Sequence, residues 1–305
     1  MRGAETRVRE PVRPEDTARM SRVILRESQE RALAHVARLA SGAPMDPDLR
    51  VTLNFHPDRI SRGRPILRSL ADSGVYVSQF VTGTSNGGLT ACPGGDRWRW
   101  ESRLFGGAYD QAPAAERPVY GALDHRHRPV GAAPRFGSSY FRLTATTLER
   151  TTFCYPDSCL DPSDFGTAAH MALVELALAD RRDALDDCVE AHVHGPVRLD
   201  RDVEALVLDP CYRGTAVEEA ARRLPCPVEW HPGFELTVEE LRRRPGYRGP
   251  EIVELGTEIA VAGVLDPRLV GEAAATGRHD PQAIKKVWHC LARFGAPAAS
   301  PASPR

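Results

Sequence analysis

The sequence contains almost no lysine. Of its 40 basic residues only Lys285 and Lys286 are lysines, and the others are arginines. Because alanine and proline are also abundant, this bias indicates high-GC codon usage more than an arginine code for a ligand. The 41 acidic residues balance the basic ones and leave a formal net charge of -1. A chain this close to neutral has no bulk field that would draw it to nucleic acid or to an anionic membrane.

Paired cysteines and long apolar runs are also lacking. The seven cysteines are odd in number, scattered and free of any CxxC pair. This pattern argues against a disulfide framework and against a thiolate zinc site, and it favours a reducing compartment. Residues 1–16 are charged and have no apolar signal core, and no run approaches the ~18 apolar residues of a membrane span. The sequence therefore predicts a cytoplasmic protein, with secretion by a route that needs no classical signal left open.

Several catalytic motifs are absent as well. No GxSxG elbow is present, which argues against an α/β-hydrolase serine enzyme. The glycine-rich stretch TGTSNGG, residues 82–88, is neither GxGxxG nor a Walker A sequence. Its backbone N–H groups could form an anion-binding nest, and a plain turn is the alternative. The residues of this candidate nest are Thr84, Ser85, Asn86 and Gly87.

The order of apolar patterns predicts an α+β fold, with a mixed or antiparallel sheet core and added helices at both ends. Short runs such as VTLNF (51–55), GVYVSQF (74–80) and VEALVLD (203–209) are typical of strands. The predicted organisation is a flexible N-terminus (1–14), an N-terminal helix (15–45), an α+β core (46–213), a mainly helical extension (214–294) that includes one short strand, PVEW, and a disordered tail (295–305).

The stretch CVEAHVHG, residues 188–195, is the strongest candidate for a functional site. On a strand, alternate side chains share a face, so Glu190, His192 and His194 align on one face while the intervening apolar residues point to the core. Three interpretations are open. The face could be an ordinary solvent-exposed one, the three residues could hold a divalent metal, or Glu190 could act alone as a catalytic carboxylate.

Two further segments carry candidate side chains. In LNFHPDR, His56 stands just past a strand end where Pro57 stops the ladder, and either ligand binding or helix capping would explain it. In FGSSYFRL, the hydroxyls of Ser138, Ser139 and Tyr140 could orient a sugar or a phosphate. The alternative is that the serines are buried in a strand and bonded to the backbone.

The blocks HPDR, ILRSLADSGVY, SNGG, WESRLFGGAY, ERPVYGALD and FGSSYFRL resemble a family of bacterial proteins known only as a domain of unknown function. The resemblance covers about residues 20–295 and assigns no activity.

The chain also has a distant resemblance to ADP-ribosyltransferases. In that family a histidine or arginine on the first core strand precedes a short helix with an Ile-Leu pair and a glycine. A later strand supplies an aromatic residue or serine, and a strand beyond it supplies the catalytic glutamate. The corresponding positions here are His56, Ile66, Leu67, Gly74, Ser138, Ser139, Tyr140, Glu190 and the following strand 203–209. Cys188 and Pro57 depart from the residues usual in the family.

This resemblance implies that NAD is the substrate and that the enzyme is an ADP-ribosyltransferase or an NAD hydrolase. Glu190 would stabilise an oxocarbenium-like state or activate the acceptor, and His56 would bind a ribose hydroxyl. Ser138, Ser139 or Tyr140 would orient the nicotinamide ribose. The nest at 83–88 or Arg59 would hold the pyrophosphate. The resemblance does not identify the acceptor, so protein, nucleic acid, small molecule and water all remain open.

Two other function classes are also consistent with the sequence. A metal-dependent enzyme would use Glu190, His192 and His194, with His56 as an additional ligand. A non-catalytic binding module would keep the fold but close the pocket beneath Glu190. Nucleic acid ranks below these as a partner, except as an acceptor, because the chain is near neutral and has no recognisable binding motif.

Overall fold

A computed structural model describes residues 23–83, 90–295 and 297 of the chain. The strands in this part are β1 (Val51–Phe55), β2 (Ile60–Ser61), β3 (Arg64–Pro65), β4 (Val75–Tyr76), β5 (Val119–Leu123), β6 (Ser139–Leu143), β7 (Thr151–Tyr155), β8 (Asp164–Thr167), β9 (Glu190–Val193), β10 (Val197–Arg198), β11 (Val203–Leu208), β12 (Val228–Trp230), β13 (Leu236–Thr237) and β14 (Val264–Leu265). The helices are α1 (Glu27–Ala37), α2 (Ile66–Ser73), α3 (Gln79–Thr82), α4 (Asp96–Leu104), α5 (Leu173–Ala179), α6 (Ala216–Ala221), α7 (Val238–Arg242), α8 (Pro245–Arg248), α9 (Pro250–Ile259), α10 (Pro267–Ala275) and α11 (Pro281–Phe294).

An eight-stranded mixed sheet forms the centre of the protein, with the strand order β12-β11-β6-β1-β5-β9-β7-β8. All neighbouring pairs are antiparallel except β11 and β12, which are parallel. The predicted α+β fold with a mixed sheet is thus confirmed. Strand order does not follow chain order, so β9 lies between β5 and β7.

The two faces of this sheet differ in character because the strands alternate. One face is apolar: Leu53, Phe141 and Ala191 point into a core that α2, α5 and α6 cover. The rings of Phe55 and Phe141, on neighbouring strands, stack with centroids 5.1 Å apart. Such a pair contributes roughly 0.5–1.5 kcal/mol beyond its buried area. The apolar face therefore anchors the sheet, and the opposite face is left for polar groups.

Helices α1 and α4 cover part of the opposite face, and the helical C-terminal third packs at the β1–β6 end. Ala32 and Val36 of α1 meet Trp100 and Leu104 of α4 in a small apolar cluster above β7. In the C-terminal third, Trp288 of α11 donates from Nε1 to the carbonyls of Pro134 and Arg135, each at 3.1 Å. These helices determine which polar side chains of the sheet are buried.

Several elements differ from their predicted bounds. The N-terminal helix begins at Glu27 among the described residues, since 23–26 are not helical. The predicted strand 74–80 is shortened to β4, because only Val75 and Tyr76 pair with β10 before the chain turns into α3. Although the stretch 167–185 is rich in helix-forming residues, only Leu173–Ala179 is helical, since Thr167 still belongs to β8.

The predicted strand PVEW is confirmed as β12, which extends the main sheet beyond residue 213. Residues 1–14, and all of the predicted tail except 295 and 297, lie outside the described residues. No helix in the described part of the chain is long and apolar enough to span a membrane.

Candidate active site at Glu190

Strand β9 places Glu190 and His192 on the polar face of the sheet, as its alternation predicts. Glu190 is paired with Ala122 of β5 on one side and Cys154 of β7 on the other. His192 is paired in the same way with Tyr120 and Thr152. Directly opposed residues in an antiparallel pair share a face, so these side chains converge in front of the sheet.

This face is buried, which makes the solvent-exposed interpretation wrong. Glu190 is 6% exposed, and His192 and His194 are 0% exposed. The ring of Phe105, which follows α4, covers the two histidines with centroid distances of 5.6 and 5.3 Å. Burying three polar side chains is costly unless each has partners. All three side chains have hydrogen-bond partners in the structure.

The Glu190 carboxylate has three polar neighbours. Its Oε1 lies 3.1 Å from His192 Nε2, and its Oε2 accepts from the Ser158 hydroxyl at 3.0 Å. Arg97 Nη1 lies 3.7 Å from Glu190 Oε1 and donates to the same Ser158 hydroxyl at 2.7 Å. Burial by itself raises the pKa of Glu190, but the His192 hydrogen bond, the charge of Arg97 and the Ser158 hydrogen bond outweigh it, so the pKa is lowered. The carboxylate is therefore ionised at neutral pH.

Arg97 is held in place from two sides. Its guanidinium lies over the Tyr120 ring, 4.2 Å from the centroid, and its contact with Ser158 ties it to the segment after β7. Ser158 opens a short 3-10 helix whose N-cap is Asp157, with Asp157 Oδ1 accepting from Cys159 N at 2.9 Å. The cap fixes the turn that carries Ser158. Helix α4, strand β5 and this capped turn thus all position groups around one carboxylate.

Behind Glu190 runs a buried chain of hydrogen bonds. His192 Nδ1 lies 3.2 Å from Thr152 Oγ1, and the same hydroxyl lies 3.0 Å from His194 Nε2. His194 Nδ1 lies 2.5 Å from the hydroxyl of Tyr109. The side chains of Glu190, His192, Thr152, His194 and Tyr109 therefore form one continuous sequence of contacts.

The direction of this chain follows from its two ends. The ionised Glu190 can only accept, so His192 Nε2 carries a proton. Burial raises the pKa of Tyr109 and lowers that of His194 well below its usual range, so the phenol keeps its proton and His194 is neutral. Only one arrangement gives every proton an acceptor: Tyr109 donates to His194, His194 to Thr152, Thr152 to His192, and His192 to Glu190. Both histidines are then Nε2–H tautomers.

This assignment predicts a spectroscopic result. Long-range proton–nitrogen correlation spectra of protein labelled with nitrogen-15 histidine should show His192 and His194 as fixed Nε2–H tautomers near pH 7. The exposed His127 is the internal comparison, since its ring should report exchange between the two tautomers. An Nδ1–H tautomer at either buried histidine would contradict the direction of the chain.

A narrow cleft opens in front of Glu190. Its cavity volume is about 60 Å³, and its lining residues are Thr52, Asn54, Tyr76, Gln79, Arg97, Tyr120, Gly121, Ala133, Phe136, Cys159 and Glu190. Two polar side chains of β1 fix one wall: Thr52 Oγ1 accepts from Ala132 N at 2.9 Å, and Asn54 Nδ2 donates to Val130 O at 3.0 Å. These bonds hold the loop that carries Phe136 against the sheet.

A larger pocket adjoins this cleft, and Phe136 lines both. Its volume is about 560 Å³, and it contains the predicted site residues His56 and Arg59. His56 is half-buried, with its ring edge-on to Trp288 at 4.7 Å between centroids. Burial lowers the pKa of His56 well below its usual range, so the ring is neutral. The structure thus places His56 beside the Glu190 cleft but in a separate pocket.

The predicted group Ser138, Ser139 and Tyr140 does not come together with Glu190. Strand β6 lies three strands from β9, which corresponds to about 14 Å across a sheet. Ser139 Oγ accepts from Asp209 N at 3.2 Å, and the Tyr140 hydroxyl donates to Pro129 O at 3.2 Å. Ser138 Oγ lies 3.4 Å from the Tyr212 hydroxyl. These hydroxyls are engaged in the protein interior, and they do not line either pocket.

The candidate anion-binding nest cannot be placed, because Thr84, Ser85, Asn86 and Gly87 lie outside the described residues. The preceding helix α3 does reach the Glu190 cleft, where Gln79 is part of the lining.

The predicted metal ligands are only partly brought together. A carboxylate oxygen of Glu190, a ring nitrogen of His192 and the Sγ atom of Cys154 all lie within 4.8 Å of one another. His194 is not part of this group, because Thr152 stands between it and His192 and both of its ring nitrogens have partners. Burial raises the pKa of Cys154 well above its usual value, so it is a thiol here. Among the described residues, the candidate metal set is therefore Cys154, Glu190 and His192.

Three residues at this site were not identified from the sequence: Arg97, Tyr120 and Ser158. For Tyr120 a signal exists, since alternation in VYGAL puts it on the face opposite the core, but its relevance depends on β5 pairing with β9. Arg97 is one arginine among many on a helix, and Ser158 is in a loop. No pattern in the sequence distinguishes either residue.

Comparison with known proteins gives a family without an activity. The family described as "Protein of unknown function (DUF3626)" matches residues 50–182 and 176–293, which together contain the cleft and the larger pocket. A search of curated proteins found no match. Because the matched segments cover well over half of the sequence, the chain belongs to the DUF3626 family.

Proposed function

We propose that the protein cleaves the nicotinamide–ribose bond of NAD, acting as an ADP-ribosyltransferase or an NAD hydrolase with Glu190 as the catalytic carboxylate. The observation that carries this proposal is an ionised carboxylate in the wall of a cleft, oriented by His192 and Ser158 and kept charged by Arg97. A carboxylate in that state is suited to facing a developing positive charge.

The chemistry needs one carboxylate. As the glycosidic bond breaks, its electron pair stays with the cationic pyridinium, which leaves as neutral nicotinamide, and the ribose becomes oxocarbenium-like. Sugar transfer through such a state usually requires a second carboxyl group as acid, but a cationic leaving group needs no proton. Glu190 would stabilise the ribosyl cation and accept the proton of the incoming water or acceptor hydroxyl.

The shapes of the two pockets agree with a large substrate that presents only a small part to Glu190. A cavity of about 60 Å³ holds a few waters or the edge of a ribose. The adjoining pocket, at about 560 Å³, has the size of an ordinary ligand site. The reacting ribose would sit near Phe136, with the rest of NAD towards His56 and Arg59.

The arrangement of strands also supports the proposal, with one revision of the sequence-based roles. His56 follows the last residue of β1 and Glu190 opens β9, and β5 lies between these two strands. Tyr120 of β5 lines the cleft, and Tyr140 of β6 does not. We therefore assign to Tyr120 the substrate contact that the sequence analysis gave to the Ser138–Tyr140 group.

The direct test is nicotinamide release from NAD by the purified full-length protein, with and without a chelator. We expect release above that of a heat-inactivated sample, unaffected by the chelator. Analysis of the products for free ADP-ribose separates hydrolysis from transfer to an acceptor. Absence of release both in water and with added protein, nucleic-acid and small-molecule acceptors would overturn the proposal.

A metal-dependent enzyme is the second candidate, because Cys154, Glu190 and His192 present three ligand atoms within 4.8 Å of one another. Carboxylate, imidazole and thiol are together compatible with zinc. The same assay discriminates: chelator-sensitive turnover, with stoichiometric metal in the purified protein, would favour this candidate over NAD cleavage by the carboxylate alone.

A further inference from the structure

The larger pocket, called here the basic pocket, carries an excess of positive charge. Its described lining includes three cationic side chains, Arg59, Arg135 and Lys285, and one acidic side chain, Asp58. Asp58 packs closely on the backbone of α10, where a Cβ at Gly271 would lie 1.7 Å from its Oδ2. Asp58 offsets one of these charges and Asp186 pairs with Arg135, so one cation remains in excess and the pocket favours an anionic ligand.

Lys285 is the strongest single indication. It is one of two lysines in the chain, and it lies half-buried on α11. Its ammonium group forms no ion pair or hydrogen bond with any described residue. Burial, followed by the nearby charge of Arg135, lowers its pKa. A partly desolvated ammonium beside another cation is unfavourable. An anion bound between the two would offset this cost.

The backbone of Arg135 is fixed by hydrogen bonds. Its own carbonyl and that of Pro134 accept from Trp288 Nε1, which fixes the backbone of the 3-10 turn Pro134–Phe136. One Nη of its guanidinium pairs with Asp186, and a guanidinium has five N–H donors in all. Donors therefore remain for a ligand, in a geometry suited to phosphate oxygens.

Much of the remaining lining is apolar, beside the imidazoles of His56 and His279. Trp288, Phe136 and Ile284 are its large apolar side chains, and Ala274 and Ala275 of α10 are small ones. Such a lining fits a ring or ribose attached to the anion, more than a free inorganic ion.

We propose that the basic pocket binds a phosphate ester or diphosphate group of the substrate, with Lys285 and Arg135 as direct ligands of its oxygens. That the phosphorylated substrate is NAD depends on the proposed function, whereas the preference for phosphate depends only on this pocket. The resemblance to ADP-ribosyltransferases implies Arg59 or residues 83–88 as pyrophosphate ligands, and Lys285 adds a ligand from the C-terminal third.

The test is calorimetric titration of the full-length protein with ADP-ribose, with inorganic pyrophosphate and with nicotinamide. Wild type should bind ADP-ribose and pyrophosphate. Lys285→Ala should weaken both by about tenfold or more, the loss typical of one charge-assisted hydrogen bond. Lys286→Ala is the matched control: Lys286 is exposed on the same helix and outside the pocket, so its affinities should stay within about twofold of wild type.

A second measurement does not depend on a variant. Mild acetylation followed by peptide mass spectrometry should label both lysines, and ADP-ribose or pyrophosphate should protect Lys285 but not Lys286. Equal affinities for wild type and Lys285→Ala, without protection of Lys285, would overturn the inference even if NAD is cleaved. Lys285-dependent binding of pyrophosphate without any NAD cleavage would support the pocket and count against the proposed reaction.

Discussion

Replacing Glu190 with glutamine is expected to lower nicotinamide release by about 10³-fold, the order of effect of losing a group that accepts a proton in the transition state. Glutamine keeps the size of the side chain and one oxygen, which can accept from Ser158 or from His192 but does not replace both carboxylate oxygens, and it removes the negative charge that would face the ribosyl cation. The measurement is single-turnover nicotinamide release at saturating NAD, so that weaker binding does not mimic slower chemistry.

Glu190→Gln is also expected to lower the stability of the protein, and this effect must be distinguished from the lower rate of nicotinamide release. Glu190→Gln leaves Arg97 buried without a carboxylate neighbour at 3.7 Å, and removing one partner of a buried pair costs about 3–5 kcal/mol. Arg97 keeps its contacts with Ser158 and the Tyr120 ring, which should hold the cost towards the lower end. We expect a lower Tm with a native circular dichroism spectrum at 10 °C.

Asp202→Asn is the matched control. Asp202 is also buried and pairs with the buried Arg150 at 3.0 Å, but it does not line the cleft. This variant should lose a comparable amount of stability and keep most of its turnover. Normal nicotinamide release from Glu190→Gln, or an equal loss of release in both variants, would remove Glu190 from its proposed role.

The residues that could be predicted from the sequence are those that depend only on local periodicity. Alternation in CVEAHVHG is sufficient to put Glu190 and His192 on one face and Ala191 on the other, and the structure has them so. Burial of that face could not be predicted, because it depends on α1 and α4, elements about 90 residues or more earlier in the chain.

Residues whose role depends on strand order could not be found from the sequence. The order β6-β1-β5-β9 puts Tyr120 beside His192 and Tyr140 three strands away, although both are aromatic residues on strands of the same sheet. Chain order gives the succession of strands but not their neighbours. The sequence therefore favours the hydroxyl groups at 138–140 as candidates for substrate contact, and only the pairing of strands in the sheet distinguishes them from Tyr120.

Replacing Thr152 with valine is expected to produce a large loss of stability. The hydroxyl of Thr152 links His192 to His194 in the buried chain. Valine has the same shape but leaves His192 Nδ1 and His194 Nε2 without partners, and each unsatisfied buried group costs about 1–3 kcal/mol. Urea unfolding should therefore show a decrease of about 2–6 kcal/mol in the free energy of unfolding.

Thr151→Val is the control for this change, because the neighbouring threonine is equally buried but points to the other side of the strand. Its hydroxyl donates to Thr147 O at 2.7 Å, so valine there removes a single hydrogen bond to a carbonyl. We expect a loss of about 1 kcal/mol. Equal effects of the two variants would mean that the hydrogen-bond chain adds nothing to stability. A much larger effect at Thr152, with slower nicotinamide release at unchanged affinity for ADP-ribose, would assign the chain a positioning role. It would then act through His192, whose hydrogen bond to Glu190 depends on its Nδ1 being held by Thr152.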